Sequence, residues 1–371
     1  MKNIKTILAA DIVKIIEEFS PLSLQENYDN CGLIIGSLQQ KVTGIILCLD
    51  SIEEIIDEAI AKKCNFVLAH HPIIFSGLKK INGKNYIEKT IIKAIKNNIC
   101  IYACHTNLDN IAEGVNKKIA EKLNLKNCSI LAPKTAQLQK IFFYSPPEFS
   151  EKIKNALFEI GVGKIGNYDN CSFTVSGIGS FRGNEYSNPT KGKKNKLEIY
   201  QEDKIELLFP NYLKNKVIDT LKKNHPYEEV AYEIVNLENE HQEIGAGMIG
   251  ELEKEIDALT FLKTLKKKMN CAVIRHSEIL PRKIKKVALC GGAGSFLLPS
   301  AISQGSDIYI SGDFKYHEFF DANKNILIAD IGHYESEQYT MEIFFALLSK
   351  KLPNFAIHFS MHNTNPVKYL L

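Results

Sequence analysis

Both ends of this chain alternate short apolar runs with helical patterns, and that alternation restricts the fold more than any other feature. In the first third the strand-like runs are GIILCL (44–49), FVLA (66–69) and ICIYA (99–103), with helical patterns over 52–63, 87–97 and 111–125. The last third repeats the style with KVALC (286–290), DIYI (307–310) and ILIADI (326–331), and with helices over 257–269, 316–322 and 335–351. Strands alternating with helices line up in parallel, because a helix carries the chain back across the sheet, so a largely parallel sheet covered on both faces is expected. The middle breaks this rhythm. Strands at 141–144, 172–178, 196–200, 204–209 and 229–235 and helices at 151–160 and 212–224 follow the β-α-β-β-α-β order of a ferredoxin-like unit. The fold class is therefore α/β, with one domain built from residues 1–138 and 243–371 and interrupted by a ferredoxin-like α+β insert at 139–242.

A length of 371 residues suits two domains. The hydrophobic fraction of 45% and the charged fraction of 24% are those of a globular chain. A net charge of +3 argues against a nucleic-acid or acidic-membrane binder. The basic runs at 191–196 and 263–268 read as solvated surface. Nine cysteines without a C-x-x-C pair argue against a disulfide framework and for a reducing, cytoplasmic setting. The opening MKNIKTILAADIVKIIEEFSPL starts like a signal peptide, yet Asp11, Lys14, Glu17 and Glu18 interrupt it. Ile7, Leu8, Ile12, Ile15, Ile16 and Phe19 keep a helical period, so it reads as an amphipathic helix. No apolar run approaches the roughly 20 residues needed to span a bilayer.

Three strand ends deliver histidine. FVLA runs into His70 and His71, closed by Pro72; ICIYAC runs into His105, with Asp109 four residues on; ILIADIG runs into His333, with Glu337 four residues on. Carboxyl ends of parallel strands are where open α/β sheets collect ligand-binding groups, and a spacing of four at a helix start puts both side chains on one face. One histidine at a strand end is usually structural, and a lone histidine–carboxylate pair is weak. Three strand ends with the same chemistry point to a metal site of four imidazoles and two carboxylates. That set suits two divalent cations, with zinc, iron, manganese, cobalt and nickel all compatible. Two carboxylates cancel half of four positive charges, so the remainder attracts an anion such as a phosphate. Pro72 is expected to end regular pairing, letting His70 and His71 converge from a frayed strand end.

Lesser candidates surround this set. Asp313 and His317 in SGDFKYHEFFDA are open to a role as supporting groups, substrate contacts or a general acid, or to the blander reading of a helix cap and a surface histidine. Asp29 and Asn30 read as a turn before Gly32 rather than as a pocket wall. The glycines of CGGAGS (290–295) suit close packing at least as well as anion binding, since the full dinucleotide and P-loop motifs are absent. In the middle segment His225, Tyr227 and Tyr232 read as structural or interface residues.

NYDNCGLIIG, LAHHPIIFSG, ACHTNLDNIAEGVN, GVGKIGNYDNCSF, HPYEEVAYEI, YISGDFKYHEFFDA and ADIGHYESE together resemble the Nif-three-like family of dinuclear metal proteins, also labelled type-two GTP cyclohydrolase-like. The resemblance implies two divalent ions per chain on His70, His71, His105, Asp109, His333 and Glu337. It implies a PII-like, CutA-like insert and a toroidal homohexamer whose metal sites face an internal cavity. Two functional classes follow: a metal-dependent hydrolase acting on a nucleotide or phosphoester, or a non-enzymatic metal- or ligand-binding regulatory oligomer. Self-association and a small anionic ligand are the expected partners, with no membrane and no nucleic acid.

Overall fold

A computed structural model describes residues 6–370; the first five residues of the amphipathic opening lie outside it. Within it the helix Ala9–Phe19 buries Ala9, Ile12, Val13 and Ile16 at helical spacing, and Asp11 accepts the Leu8 N–H at its start. The chain divides into two compact units, one of residues 1–132 and 243–371 and one of residues 133–242. The division falls at 132/133 rather than at 138/139, because the strand Lys126–Pro133 carries the chain to that point.

The first unit holds two sheets where one largely parallel sheet was expected. One sheet runs Gly32–Ile35, Cys100–Ala103, Phe66–His71, Ile45–Asp50, Ile357–Phe359 in spatial order; all its pairings are parallel except that of the edge strand Gly32–Ile35. The other runs Arg275–His276, Leu327–Asp330, Ile308–Gly312, Lys283–Ala293, Gly245–Asp257, Lys126–Pro133. Its centre is parallel, while Gly245–Asp257 and Arg275–His276 join antiparallel. The central strands bury both faces, which is why they read as unbroken apolar runs. One core joins Leu47, Leu68 and Tyr102 to Leu289, Ile310 and Ala329 through Ile16, Ile119, Leu265 and Phe344 of four helices. Separate clusters cover the other face of each sheet. Two carboxyl rims therefore belong to one packed body.

The second unit is an antiparallel sheet of Ser172–Phe181, Glu198–Pro210, Leu138–Ser145 and Tyr232–Leu237 in that order. The helices Pro147–Glu159 and Lys214–Asn224 complete the β-α-β-β-α-β order. Ile141, Phe143, Ile205, Leu207 and Phe209 pack against Ile153, Leu157, Val217 and Leu221. The two strands read at 196–200 and 204–209 are one. Asp203 lies buried inside it and accepts hydrogen bonds from Ser150 and Ser176, so a polar residue interrupts the pattern without breaking the strand. His225 donates to the Tyr144 carbonyl and accepts from the Tyr227 N–H, and burial lowers its pKa, so here it is a structural group.

Candidate metal centre

The strand Phe66–His71 extends through both histidines and stops at Pro72, so His70 and His71 sit within a paired strand and not on a frayed end. They still converge, with ring centroids 4.9 Å apart. The His105 ring lies 5.2 Å from each of them, and the His333 ring 5.3 Å from His71. His105 leads into the short helix Thr106–Asp109, and the helix His333–Glu337 starts after Leu327–Asp330 of the second sheet. Both sheets thus feed one centre from their carboxyl ends.

Every imidazole is held from behind. His70 Nδ1 lies 2.9 Å from the Cys104 carbonyl, His71 Nδ1 2.7 Å from Asp50, His105 Nδ1 2.9 Å from Asp29 and His333 Nδ1 2.7 Å from Asp313. A carbonyl or an ionised carboxylate only accepts, so each Nδ1 carries a proton and each Nε2 faces the centre. His71 Nε2 and His333 Nε2 approach to 3.3 Å. Glu337 Oε2 stands 3.0 and 3.1 Å from those two nitrogens, and Glu337 Oε1 stands 3.6 Å from His70 Nε2. Asp109 Oδ1 is 3.7 Å from His70 Nε2. Despite these approaches His70 Nε2 and Asp109 Oδ1 are buried without a hydrogen-bond partner, while Glu337 Oε2 faces the two protonated imidazoles of His71 and His333. Such orphans are costly, and two of them 3.7 Å apart are what a cation would satisfy. Three trios place their ligand atoms within 4.8 Å of one another: His70, His71 and His105; His71, His333 and Glu337; His70, Asp109 and Glu337.

The electrostatics follow from this crowding. Burial disfavours charge on His71, but Glu337 and the hydrogen bond to Asp50 outweigh it and raise its pKa to about 10. The Glu337 charge leads for His333, with Asp313 adding to it against burial, and raises its pKa to about 11. Burial and the Glu337 charge push Asp109 up to about 7. Burial opposes charge on Glu337 too, yet the charges of His333, His70 and His71 hold it well below the usual carboxylate range. At pH 7 the metal-free chain thus keeps protons on His71 and His333, in the places a cation would take. Loading with Zn2+ at pH 7 is expected to release roughly two protons per chain, and affinity is expected to rise with pH. A pH indicator in weak buffer checks this; loading without proton release would contradict the picture. In the metal-free chain the stabilisation from these raised histidines is complete below about 6.5 and fades as pH rises through about 10 to 11.

The surroundings correct several sequence readings. Asp29 is a wall of the site and not only a turn: it accepts from His105, from the Thr106 N–H at 3.0 Å and from the Thr106 hydroxyl. Asp50 was not singled out at all, since it ends a different strand 21 residues before His71; Thr364 Oγ1 donates to its other oxygen at 2.5 Å. Asp313, with φ +59°, tethers His333 and caps no helix, and the helical turn that follows begins at Tyr316. His317 is exposed and turns its ring towards Tyr316 and Phe320, at 5.1 and 6.3 Å. The glycines of 290–295 serve close packing: the Gly291 N–H goes to Asn116 and the Gly292 N–H to Ser336. A Cβ on Gly292 would lie 2.5 Å from Glu337 Oε1 at φ +62°. Gly292→Ala is therefore expected to displace Glu337 and to lower metal occupancy by roughly tenfold or more, read by metal analysis after dialysis. A cavity of about 470 Å³ opens beside His71 and His333, with Asn365, Val367 and Tyr369 on its far wall.

Four tethered imidazoles, the buried Glu337 and the partly buried Asp109 at the rims of two α/β sheets define an α/β protein with a candidate divalent-metal centre. The chain belongs to the Duf34/NIF3 (NGG1p interacting factor 3) family, whose model matches residues 7–366. It is 37% identical over 332 residues to a Bacillus subtilis protein named GTP cyclohydrolase 1 type 2 homolog, covering 89% of each chain. A Halalkalibacterium halodurans protein of the same name is 39% identical over 324 residues, covering 87% of each. The structure is similar to that of a Bacillus cereus protein related to NIF3, with a TM-score of 0.87, 35% identity, and coverage of 99% of this chain and 100% of that one. Among the described residues no helix is long and apolar enough to cross a membrane.

Proposed function

We propose that the centre holds two divalent ions and makes this chain a metal-dependent hydrolase acting on a nucleotide or phosphoester. The observation that carries the reading is the set of four imidazoles, each tethered through Nδ1, gathered about Asp109 and Glu337, with His70 Nε2 and Asp109 Oδ1 buried and without partners. His71, His333 and Glu337 would hold one ion, and His70, His105 and Asp109 with Glu337 the other, while Asp29, Asp50 and Asp313 fix the imidazoles. Paired divalent ions polarise an ester and activate water at neutral pH. The relatives' name, GTP cyclohydrolase 1 type 2 homolog, supports a nucleotide as substrate class. Metal-loaded protein incubated with GTP, other nucleotides and simple phosphoesters is expected to turn over at least one of them, and Glu337→Gln to abolish that product. Full metal loading with no product from any would instead favour the regulatory reading.

The same proposal takes the assembly as a toroidal homohexamer and the second unit as PII-like. The β-α-β-β-α-β order supports the second point, and Phe173, Ile178 and Ile199, each more than half exposed, are apolar surface that another copy can cover. The free cysteines support a reducing, cytoplasmic setting.

A further inference from the structure

Two large aromatic rings stand in water beside the metal centre. Tyr28 is 65% exposed and Phe75 51%. Their ring centroids lie 6.2 Å apart with planes tilted by 42°, and the Phe75 ring lies 6.2 Å from that of His105, edge-on at 69°. A single exposed aromatic needs no explanation. Two rings packed on each other and on a histidine of the centre form a continuous apolar surface at its edge.

The mounting of these rings is stiff. Tyr28 directly precedes Asp29, whose carboxylate holds both His105 and Thr106. Asn30 Nδ2 donates to the Ile74 carbonyl at 2.6 Å, tying the segment that bears Tyr28 to the one that bears Phe75. Gln25 Oε1 accepts the Cys31 N–H at 2.8 Å and steadies the same turn. Among the described residues, the ring neighbours of the exposed aromatics Tyr316 and Phe320 are each other and His317. An aromatic side chain has only two torsions to fix, so stacking a flat ring on this surface costs little conformational entropy.

We propose that Tyr28 and Phe75 form a shelf on which the planar base of a nucleotide stacks while its phosphate faces the metal centre. The proposal rests on the metal-centre reading above and narrows its substrate class from phosphoesters at large to nucleotides. Because the two rings pack on each other, the base lies on their outer face with its other side open. Every base has a π-face, so the shelf tolerates more than one base. The phosphate end is drawn by the surplus positive charge of the loaded centre.

The test is calorimetric binding to the zinc-loaded full chain, with inorganic phosphate, ribose 5-phosphate, adenosine, AMP and GMP as probes. Expected is AMP and GMP binding roughly five- to a hundredfold tighter than ribose 5-phosphate. Phe75→Leu, which keeps apolar bulk but removes the π-face, is expected to erase most of that preference at unchanged metal content and unchanged phosphate affinity; Tyr28→Leu should do so in part and Phe75→Tyr should restore it. Equal affinity for AMP and ribose 5-phosphate, or a base preference that survives Phe75→Leu, would overturn the shelf while leaving the phosphoester reading intact. Adenosine binding that is lost in Phe75→Leu, with no binding of phosphate, would uphold the shelf and sink the phosphoester reading. No base preference together with a smaller assembly in Phe75→Leu would show that a second copy of the chain covers the rings, and would also overturn it.

Discussion

Glu337→Gln is expected to leave the chain unable to retain either metal ion. Glu337 belongs to two of the three ligand trios, reaching towards His70 with Oε1 and towards His71 and His333 with Oε2. It is the one carboxylate near both halves of the centre. Loss of a group that only orients a ligand costs about 10- to 100-fold in metal affinity, and loss of a shared ligand should exceed the upper figure at both positions. Dialysis followed by metal analysis reads this directly, with roughly two ions per chain expected in the parent protein and fewer than one in the variant. The metal-free variant carries a second signature. Glu337 is fully enclosed and faces the protonated His71 and His333, so its removal takes one of two carboxylates from each imidazolium and leaves Asp50 and Asp313 as their partners. Breaking a fully buried pair from one side costs about 3–5 kcal/mol; with both imidazoles partly exposed and still held by Asp50 and Asp313, a smaller fall in the urea midpoint is expected near neutral pH. The deficit should shrink as pH rises through about 10 to 11, where the histidines lose their protons in any case. A variant that keeps two ions, or that is equally deficient at pH 7 and pH 11, would remove Glu337 from the role given to it here.

Asp29→Asn and Asp313→Asn are expected to separate the two ions. Each carboxylate grips one Nδ1, Asp29 that of His105 and Asp313 that of His333, and the two imidazoles fall in different trios. An amide can present its oxygen to the same N–H but loses the charge that orients the ring and raises its basicity. The variants should each weaken one site by about 10- to 100-fold and spare the other, so titration with Zn2+ or Co2+ should give one tight and one weak equivalent in both. The Asp29 variant should also be the less stable of the two. Its carboxylate additionally holds the Thr106 N–H and hydroxyl, whereas Asp313 is exposed and serves His333. Simultaneous loss of both ions in either variant would show that the ions bind only as a pair.

Much of this was legible because of where the histidines stand. His70 and His71 end one strand buried on both faces and His105 and His333 follow two others, and such strands announce themselves as unbroken apolar runs in a way that half-exposed ones do not. What was hidden is the set of groups acting on those rings. Asp29 lies 76 residues from His105 and Asp50 lies 21 from His71, and no local pattern couples residues that meet only after the strands have paired. Asp313 was noticed for its place after a strand, but its task depends on a backbone turn at φ +59° that composition does not reveal. The division into two sheets was equally hidden, since alternation reports strands and helices but not which strands become neighbours. Gly245–Asp257 escaped notice for a local reason. It carries three glycines and several charges, and its pairing with Lys283–Ala293 shifts register between Glu251 and Ile256.

The strands Lys126–Pro133 and Gly245–Asp257 are neighbours in one sheet, and residues 133–242 leave and return between them. Every ligand and every tether of the centre lies outside that interval. The chain is thus put together like a tool with an added head: the second unit is spliced in at one seam, and the residues of the candidate centre all come from the first. Every hydrogen bond described for the centre is made within the first unit. Change in the inserted piece and constraint on the histidines should therefore accumulate as two separate histories within one gene.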